Sequence, residues 1–182
     1  MSFTIRPAVP DDAFAACAVL RRSITECCIM DHRGDAAVLG NWLGNKTPHN
    51  VASWFAAASN HSLVAERDGQ VVGVCLLTQA GKLSLCYVLP DVLHIGVGKA
   101  LLRGAEAQAR LWGISVMRLH STSSARDFYA RNGYFYAGKE KSCYGVECDF
   151  FWKKLDAELA PEPACTTADG AAARKRYCSC AS

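Results

Sequence analysis

A mixed α/β domain is what this sequence predicts: a mostly antiparallel sheet flanked by helices, in the order β-α-α-α-β-β-β-α-β-α-β-β. Three observations lead there. The hydrophobic period is helical up to about residue 58 and then becomes alternating. Arg67-Asp68-Gly69 divides two apolar runs, a strong hairpin signal. Leu101, Ala105, Ala109 and Trp112 share one face of a helix running from Gly98 to Trp112.

The elements follow in order. Phe3 and Ile5 alternate with polar neighbours in a short first strand. Pro10-Asp11-Asp12 offers an acidic start to a helix over 12–28, with Phe14, Cys17, Leu20 and Ile24 at core spacing. A second helix covers about 35–43. Thr47-Pro48 opens a third, to about Ala58, with threonine as cap and proline at the first helical position. Strands are expected at 62–66, 70–78 and 82–89, the last stopped by Pro90. Gly113 ends the long helix. A strand over 114–120, a short helix over 124–131 and a hairpin of 134–140 with 146–154 complete the domain. In that last strand Val146, Cys148, Phe150 and Trp152 point one way.

At 182 residues one domain is the default, here 1–155, followed by an Ala/Pro-rich tail over 156–182 carrying Arg174-Lys175-Arg176. Half the residues are apolar and a fifth charged, as in folded soluble proteins. The net charge of +3 gives no argument for nucleic acid. Charged residues such as Glu66, Arg67, Asp68 and Lys82 break the most apolar region, so no membrane span is expected. The first residues lack the basic-then-apolar order of a secretory signal, and a cytoplasmic location is the expectation. Ten cysteines do not resemble a disulfide framework: Cys17, Cys75 and Cys86 fall in apolar patterns, as buried free thiols do. A four-thiolate zinc site from Cys143, Cys148, Cys178 and Cys180 fits the usual spacing poorly, and no metal is expected.

The stretch L-H-I-G-V-G-K-A-L-L, residues 93–102, poses the question of function. A nucleoside triphosphate loop needs an earlier glycine where Leu93 stands and a hydroxyl where Ala100 stands. A dinucleotide loop needs a third glycine where Leu101 stands, and an acidic end to the next strand, which instead ends at His120-Ser121. A third arrangement remains: strand, Val-x-Pro exit, then a glycine loop opening directly onto a helix. Unpaired N–H groups at a helix start, with glycines admitting close approach, suit a pyrophosphate.

Y-V-L-P-D-V-L-H-I-G-V-G-K-A-L-L resembles the acetyl-CoA motif of the GNAT superfamily of N-acetyltransferases, [RQ]-x-x-G-x-[GA] after V-x-P. S-T-S-S-A-R-D-F-Y-A-R-N-G-Y is similar to that family's second cofactor segment, A-x-x-F-Y-x-x-x-G-F. The likeness extends over residues 3–155. Leu93 departs from it, standing where the family has arginine or glutamine. The resemblance implies acetyl transfer from acetyl-CoA, as donor co-substrate, to a primary amine of a small molecule. It implies that the backbone of Tyr87 and Val88 pairs with the pantetheine arm, with the Val88 N–H aimed at the thioester oxygen. It also implies that Leu93, His94, Ile95, Gly96, Val97, Gly98, Lys99 and Ala100 hold the pyrophosphate, and that Ser124 and Phe128 lie along the cofactor.

Tyr129 occupies the family's proton-donor position; a phenol of pKa about 10 can protonate a thiolate whose thiol titrates near about 8.5. The competing reading is ring packing with Phe128 and Tyr134. The glutamate that many relatives carry on the strand before the glycine loop corresponds to Lys82, and Ser84 and Cys86 are placed on its strand face. His120, ending the next strand, is the substitute base by residue type. Glu66 ends the hairpin's first strand and reads as solvated. A water chain, or an amine that loses its proton before binding, needs no base.

Two further classes compete with the enzyme: a non-catalytic acyl-CoA sensor, which Leu93 and the missing glutamate suit, and an interaction module using the basic tail. The acceptor should lie between the helices of 12–58 and the last hairpin, where Glu26, Asp31, Arg33, Asp35 and Lys46 show no single sign of charge. A homodimer is left open.

Overall fold

The computed structural model describes residues 2–141 and 147–155. The expected tail, and Cys143, Val146, Cys178 and Cys180, lie outside the described residues. Seven strands form one sheet in the order β1-β2-β3-β4-β5-β7-β6. They are β1 (Thr4–Pro7), β2 (Asn60–Arg67), β3 (Gln70–Thr78), β4 (Lys82–Val88), β5 (Val116–Ser121), β6 (Phe135–Lys141) and β7 (Glu147–Lys154). Every neighbouring pair is antiparallel except β4 with β5. The helices are α1 (Ala13–Cys27), α2 (Ile29–His32), α3 (Ala36–Leu43), α4 (Pro48–Ala56), α5 (Val97–Leu111) and α6 (Arg126–Arg131). The mixed, mostly antiparallel fold expected from the sequence is the fold found.

Local chemistry explains the boundaries. Asp68 and Gly69 both adopt positive φ, so the β2–β3 hairpin turns as the Asp-Gly pair requires. Thr47 accepts from the Asn50 N–H and Pro48 opens α4, while Asp35 accepts from Ala37 and Val38 to open α3. Between α1 and α3 the chain makes one additional helical turn, α2, ended by Arg33 in a left-handed conformation.

Two details differ from expectation. Pro10–Asp12 is a 3₁₀ turn, and Asp12 accepts from Val9 N–H and from both ends of the Arg6 guanidinium instead of capping α1. Phe14 is 77% exposed, because the buried stripe of α1 runs through Ala13, Ala16, Cys17, Leu20 and Ile24, and Phe14 lies over 100° round the helix from its centre. In β7 the side buried is that of Asp149 and Phe151, opposite Cys148, Phe150 and Trp152.

Helices cover both faces of the sheet. Leu101, Leu102, Ala105 and Ala109 of α5 pack on Leu63, Ala65, Val72, Leu77, Leu83, Met117 and Leu119. Ala13, Ala16, Cys17 and Leu20 of α1, with Val51 of α4, cover Val74, Leu76 and Leu85. Gly73 permits the close seat of α5: a Cβ there would stand 2.9 Å from Leu101 Cδ1 and 3.2 Å from Val97 and Val88. Gly73→Val should therefore destabilise the protein by roughly 1–3 kcal/mol, read as a lower denaturant midpoint at unchanged slope.

Arg6 holds the Asp12 carboxyl below its ordinary value of 3.8, outweighing partial burial. A lowered folded-state pKa contributes stability above the unfolded value that is lost as pH falls through the folded one. Asp12→Asn should accordingly flatten the loss of stability below about pH 4, measured as melting temperature against pH.

Candidate active site

Strands β4 and β5 pair only at Lys82 with Arg118 and Leu83 with Leu119. Just there β4 carries a bulge: Leu77 faces Leu83 and Leu76 faces Leu85, leaving Ser84 as the additional residue. The bulge changes which residues share a face. Cys86 and Val88 join Leu83 on the α5 side, while Leu85 and Tyr87 face α1; Lys82, Ser84 and Cys86 do not form one row.

Beyond the last paired residues a cavity of about 640 Å³ opens between the two strands. Cys86, Tyr87 and Val88 line one side, and Thr122, Ser124, Ala125 and Phe128 the other. Leu93, His94, Gly96, Gly98 and Lys99 reach it from the loop, and Ser23, Cys27 and Cys28 close it from α1. Leu89 N–H donates to Val72 O, so alternation along this antiparallel pair makes Val74–Tyr87 a hydrogen-bonded pair. The N–H and C=O of Val88 and Cys86 therefore point away from β3, toward the cavity. Tyr87 contributes to the lining, but its own backbone groups are turned to β3.

The loop presents backbone donors at a helix start. Gly96 caps α5 at φ 97°, and His94 is also left-handed at 64°. Ala100 N–H is already bonded to Gly96 O, which leaves the N–H groups of Val97, Gly98 and Lys99 at the positive helix end. Val97 is fully buried beneath the loop, and its side chain, like those of Ile95 and Ala100, takes no part in the lining. Leu93 and Ile95 are 40% and 47% exposed. A smaller basic recess of about 220 Å³ adjoins through Lys99, Arg131 and Asn132, and adds Arg103 and Lys153.

Side-chain bonds tie the rim together. Arg22 of α1 pairs with Glu26 and, at 2.8 Å, with Asp91 just after Pro90. Asp31 of α2 accepts from Ser123 N–H at 2.6 Å and Ser124 Oγ at 2.5 Å, strapping α2 across to the entry of α6. Arg126 makes two bonds, 2.7 and 2.8 Å, to Asp149, whose side chain is 2% exposed. On the acceptor side the carboxylates thus already have partners: Glu26 in an ion pair, Asp31 in the strap, Asp35 as a helix cap. Lys46 is buried, its ammonium on Asn45 and the Trp42 carbonyl.

Tyr129 is 6% exposed, its ring against Phe128 at 5.0 Å, Tyr134 at 5.7 Å and Phe151 at 6.1 Å. It is absent from the lining. Its hydroxyl donates to the Cys86 sulfur, and burial, more than the neighbouring thiols, pushes its pKa well above the ordinary value. His120 stands apart from the cavity: it bonds Glu140 Oε2 through Nε2 at 2.5 Å and packs on Phe150. Glu66 pairs with Arg6. The sequence reading did not single out Ser23, Cys27, Cys28, Thr122, Asp127, Arg131 and Asn132 as lining. The spacing of Ser23 and Cys27, one turn apart on α1, was the available signal. Among the described residues no three His, Cys, Asp or Glu side chains group as metal ligands, and no helix is long and apolar enough to cross a membrane.

Residues 37–148 match the model of an acetyltransferase (GNAT) domain. A Bacillus subtilis protein named as an acetyltransferase is 29% identical over 86 residues, which is 47% of this chain and 58% of that relative's length. Among solved structures, a GCN5-related N-acetyltransferase from Rhodopseudomonas palustris superposes with TM-score 0.76 at 21% identity, over 85% of this chain and 97% of that one. The PaiA N-acetyltransferase of Thermoplasma acidophilum, solved with coenzyme A, gives 0.69 at 23%, over 85% and 99%. A Salmonella typhimurium protein solved with acetyl-CoA gives 0.64 at 21%, over 91% and 100%. These structures share the fold; the domain model, which takes in more than half of the residues, assigns the family. The chain belongs to the GNAT family of acetyltransferases.

Proposed function

We propose that the protein transfers the acetyl group of acetyl-CoA to a primary amine of a small molecule, by direct attack of the amine on the thioester. The observation that carries this reading is the parting of β4 from β5, with the Val88 N–H facing the gap and three unpaired N–H groups of α5 at its mouth. Acetyl-CoA supplies an activated acyl group and a thiolate leaving group. The N–H groups of Val97, Gly98 and Lys99 bind its pyrophosphate, with Lys99 adding charge. Val88 N–H, fixed by the sheet, stabilises negative charge developing on the thioester oxygen without reorganisation. Thr122 and Ser124 flank the arm, Ser124 held by Asp31. Tyr129 returns a proton to the departing sulfur. Because its hydroxyl lies behind Cys86, that transfer requires a shift of the Cys86 side chain or passage by way of its thiol. The amine arrives uncharged or loses its proton to water, since no carboxylate of β4 faces the gap. A cytoplasmic setting belongs to this reading, with neither nucleic acid nor membrane as partner, and a homodimer is compatible with it.

One observation favours a second reading, a non-catalytic acyl-CoA sensor: the buried Tyr129 hydroxyl is bonded to protein and stands off the cavity. Thiol release from acetyl-CoA with a panel of amines separates the two, since a sensor binds without turnover.

Acetyl-CoA should raise the melting temperature in proportion to its occupancy, while ATP with magnesium and NAD should leave it unchanged. Gly98→Asp tests the same loop. A Cβ there meets Phe128 at 3.5 Å and Val88 at 3.9 Å, both ordinary contacts, so the variant should fold, yet its carboxylate faces the pyrophosphate and should abolish binding in calorimetry. Native circular dichroism with intact binding would overturn the loop assignment.

Tyr129→Phe keeps the ring packing and deletes the hydroxyl. With Tyr129 as the acid, kcat falls by about a hundredfold, and by no less than about tenfold, while acetyl-CoA affinity barely moves. Unchanged turnover would make Tyr129 a packing residue.

A further inference from the structure

Cys86 sits at the floor of the gap, where acyl transfer asks of its sulfur no more than the relay of a proton. Opposite it on β3 is Cys75, in direct register and 1% exposed. Since 72–89 and 74–87 are hydrogen-bonded pairs, Cys75–Cys86 is a non-hydrogen-bonded pair. That is the position in an antiparallel ladder where facing side chains come closest, with Cα atoms about 4.5 Å apart. Both side chains project to the α5 face, and the Cys75 thiol donates to the Cys86 sulfur. Tyr129 donates to the same atom, so one cavity-lining sulfur accepts from two buried donors.

We propose that Cys86 and Cys75 are a redox-active thiol pair that reacts with a disulfide of coenzyme A drawn into the gap. The proposal rests on the gap's being a coenzyme A site, because that is what selects this disulfide over others. Lys99, Arg103 and Arg131 line the cavity or its recess and have no carboxylate partner among the described residues, which suits an entrant rich in phosphate.

Cys86 attacks as thiolate. A Cys86–sulfur bond forms, the sulfur–sulfur bond of the entrant breaks, and one coenzyme A leaves as thiolate and takes up a proton. Cys75 then attacks the Cys86 sulfur and gives up its proton to the second coenzyme A as that departs. Two protein thiols are oxidised to one disulfide and one small disulfide is reduced to two thiols, so electrons and protons balance. Cys86 lines the cavity whereas Cys75 is buried behind it, which makes Cys86 the attacker and Cys75 the resolver; the contacts of Cys86 with Cys75 and Tyr129 lower its thiol in the same sense. Cys27 and Cys28 line the same cavity, but burial pushes both thiols up, Cys28 to about 12.

The test uses the full chain, reduced and freed of reductant, then exposed to coenzyme A disulfide, with peptide mapping after free thiols are blocked. Wild type should yield a cross-linked Cys75–Cys86 peptide pair and release both coenzyme A thiols. Cys75→Ser should stop at a coenzyme A adduct on Cys86, and Cys75→Ala replaces it should a buried serine unfold the sheet. Cys86→Ser should consume the disulfide at least about tenfold more slowly. Excess acetyl-CoA should slow the wild-type reaction. The proposal is overturned by adducts on Cys27, Cys28 or Cys148 in place of Cys86, by undiminished reaction of Cys86→Ser, or by oxidised glutathione reacting as fast. Calorimetry of acetyl-CoA on the same preparation tells which idea has failed. Binding without thiol exchange removes the redox pair alone, whereas absence of binding removes the coenzyme A site beneath it.

Discussion

The site depends on a single constraint: two parallel strands that stop pairing partway along. β4 and β5 hold each other at Lys82–Arg118 and Leu83–Leu119, and the bulge at Ser84 then turns β4 aside. An interior strand has two edges of hydrogen-bonding groups, and buried polar backbone has to find partners. β3 satisfies one edge of β4 through Val74, while the groups of Cys86 and Val88 on the other face a cavity. A ligand with an amide-bearing arm would complete the ladder there as an added strand does. The chemistry of the gap is thus a consequence of an interrupted sheet more than of any one side chain.

An interruption of this kind exposes apolar interior unless its walls are fixed. Three polar ties fix them, each joining distant segments: Arg22 to Asp91, Asp31 to Ser123 and Ser124, and Arg126 to Asp149. The first seats α1 beside the exit from β4. The second binds α2 to the start of α6. The third anchors α6 on β7 through a buried carboxylate, which would be unfavourable without its two charge-assisted bonds. Using carboxylates as ties has a chemical consequence, because Asp31 and Glu26 are spent on geometry and are not free to serve as acid or base.

Sulfur forms the floor of the gap, with a second thiol and a phenol directly behind it. Cys75, Cys86 and Tyr129 form one hydrogen-bonded group under the strand backbone; their mutual contacts set the acidity of the two thiols, and burial that of the phenol. Burial raises Tyr129 well above the range in which a phenol gives up its proton freely, so proton delivery from it depends on a strongly basic thiolate arriving at close range. The acyl transfer and the thiol exchange proposed for this site would both draw on this one group, and a change at Cys86 would be felt by both.

Much of this was legible in the sequence because it is encoded locally. Asp68-Gly69 favours a tight hairpin turn, Thr47-Pro48 a helix start, and Gly96 and Gly98 before an apolar helical stripe a turn that opens directly onto a helix. These features rest on dihedral preference and short-range periodicity, which a single stretch of chain carries. Other features depend on registry between segments far apart. The Ser84 bulge reversed the strand face assigned to Cys86. The buried stripe of α1 turned Phe14 outward. His120 met Glu140 from the final hairpin instead of the gap, and Asp31 reached Ser124 across 93 positions. Residue type and spacing determined that there would be a glycine loop opening a helix on a mixed sheet. Tertiary structure alone decided which groups face that loop, because facing is set by pairing register and by partners that no local pattern contains.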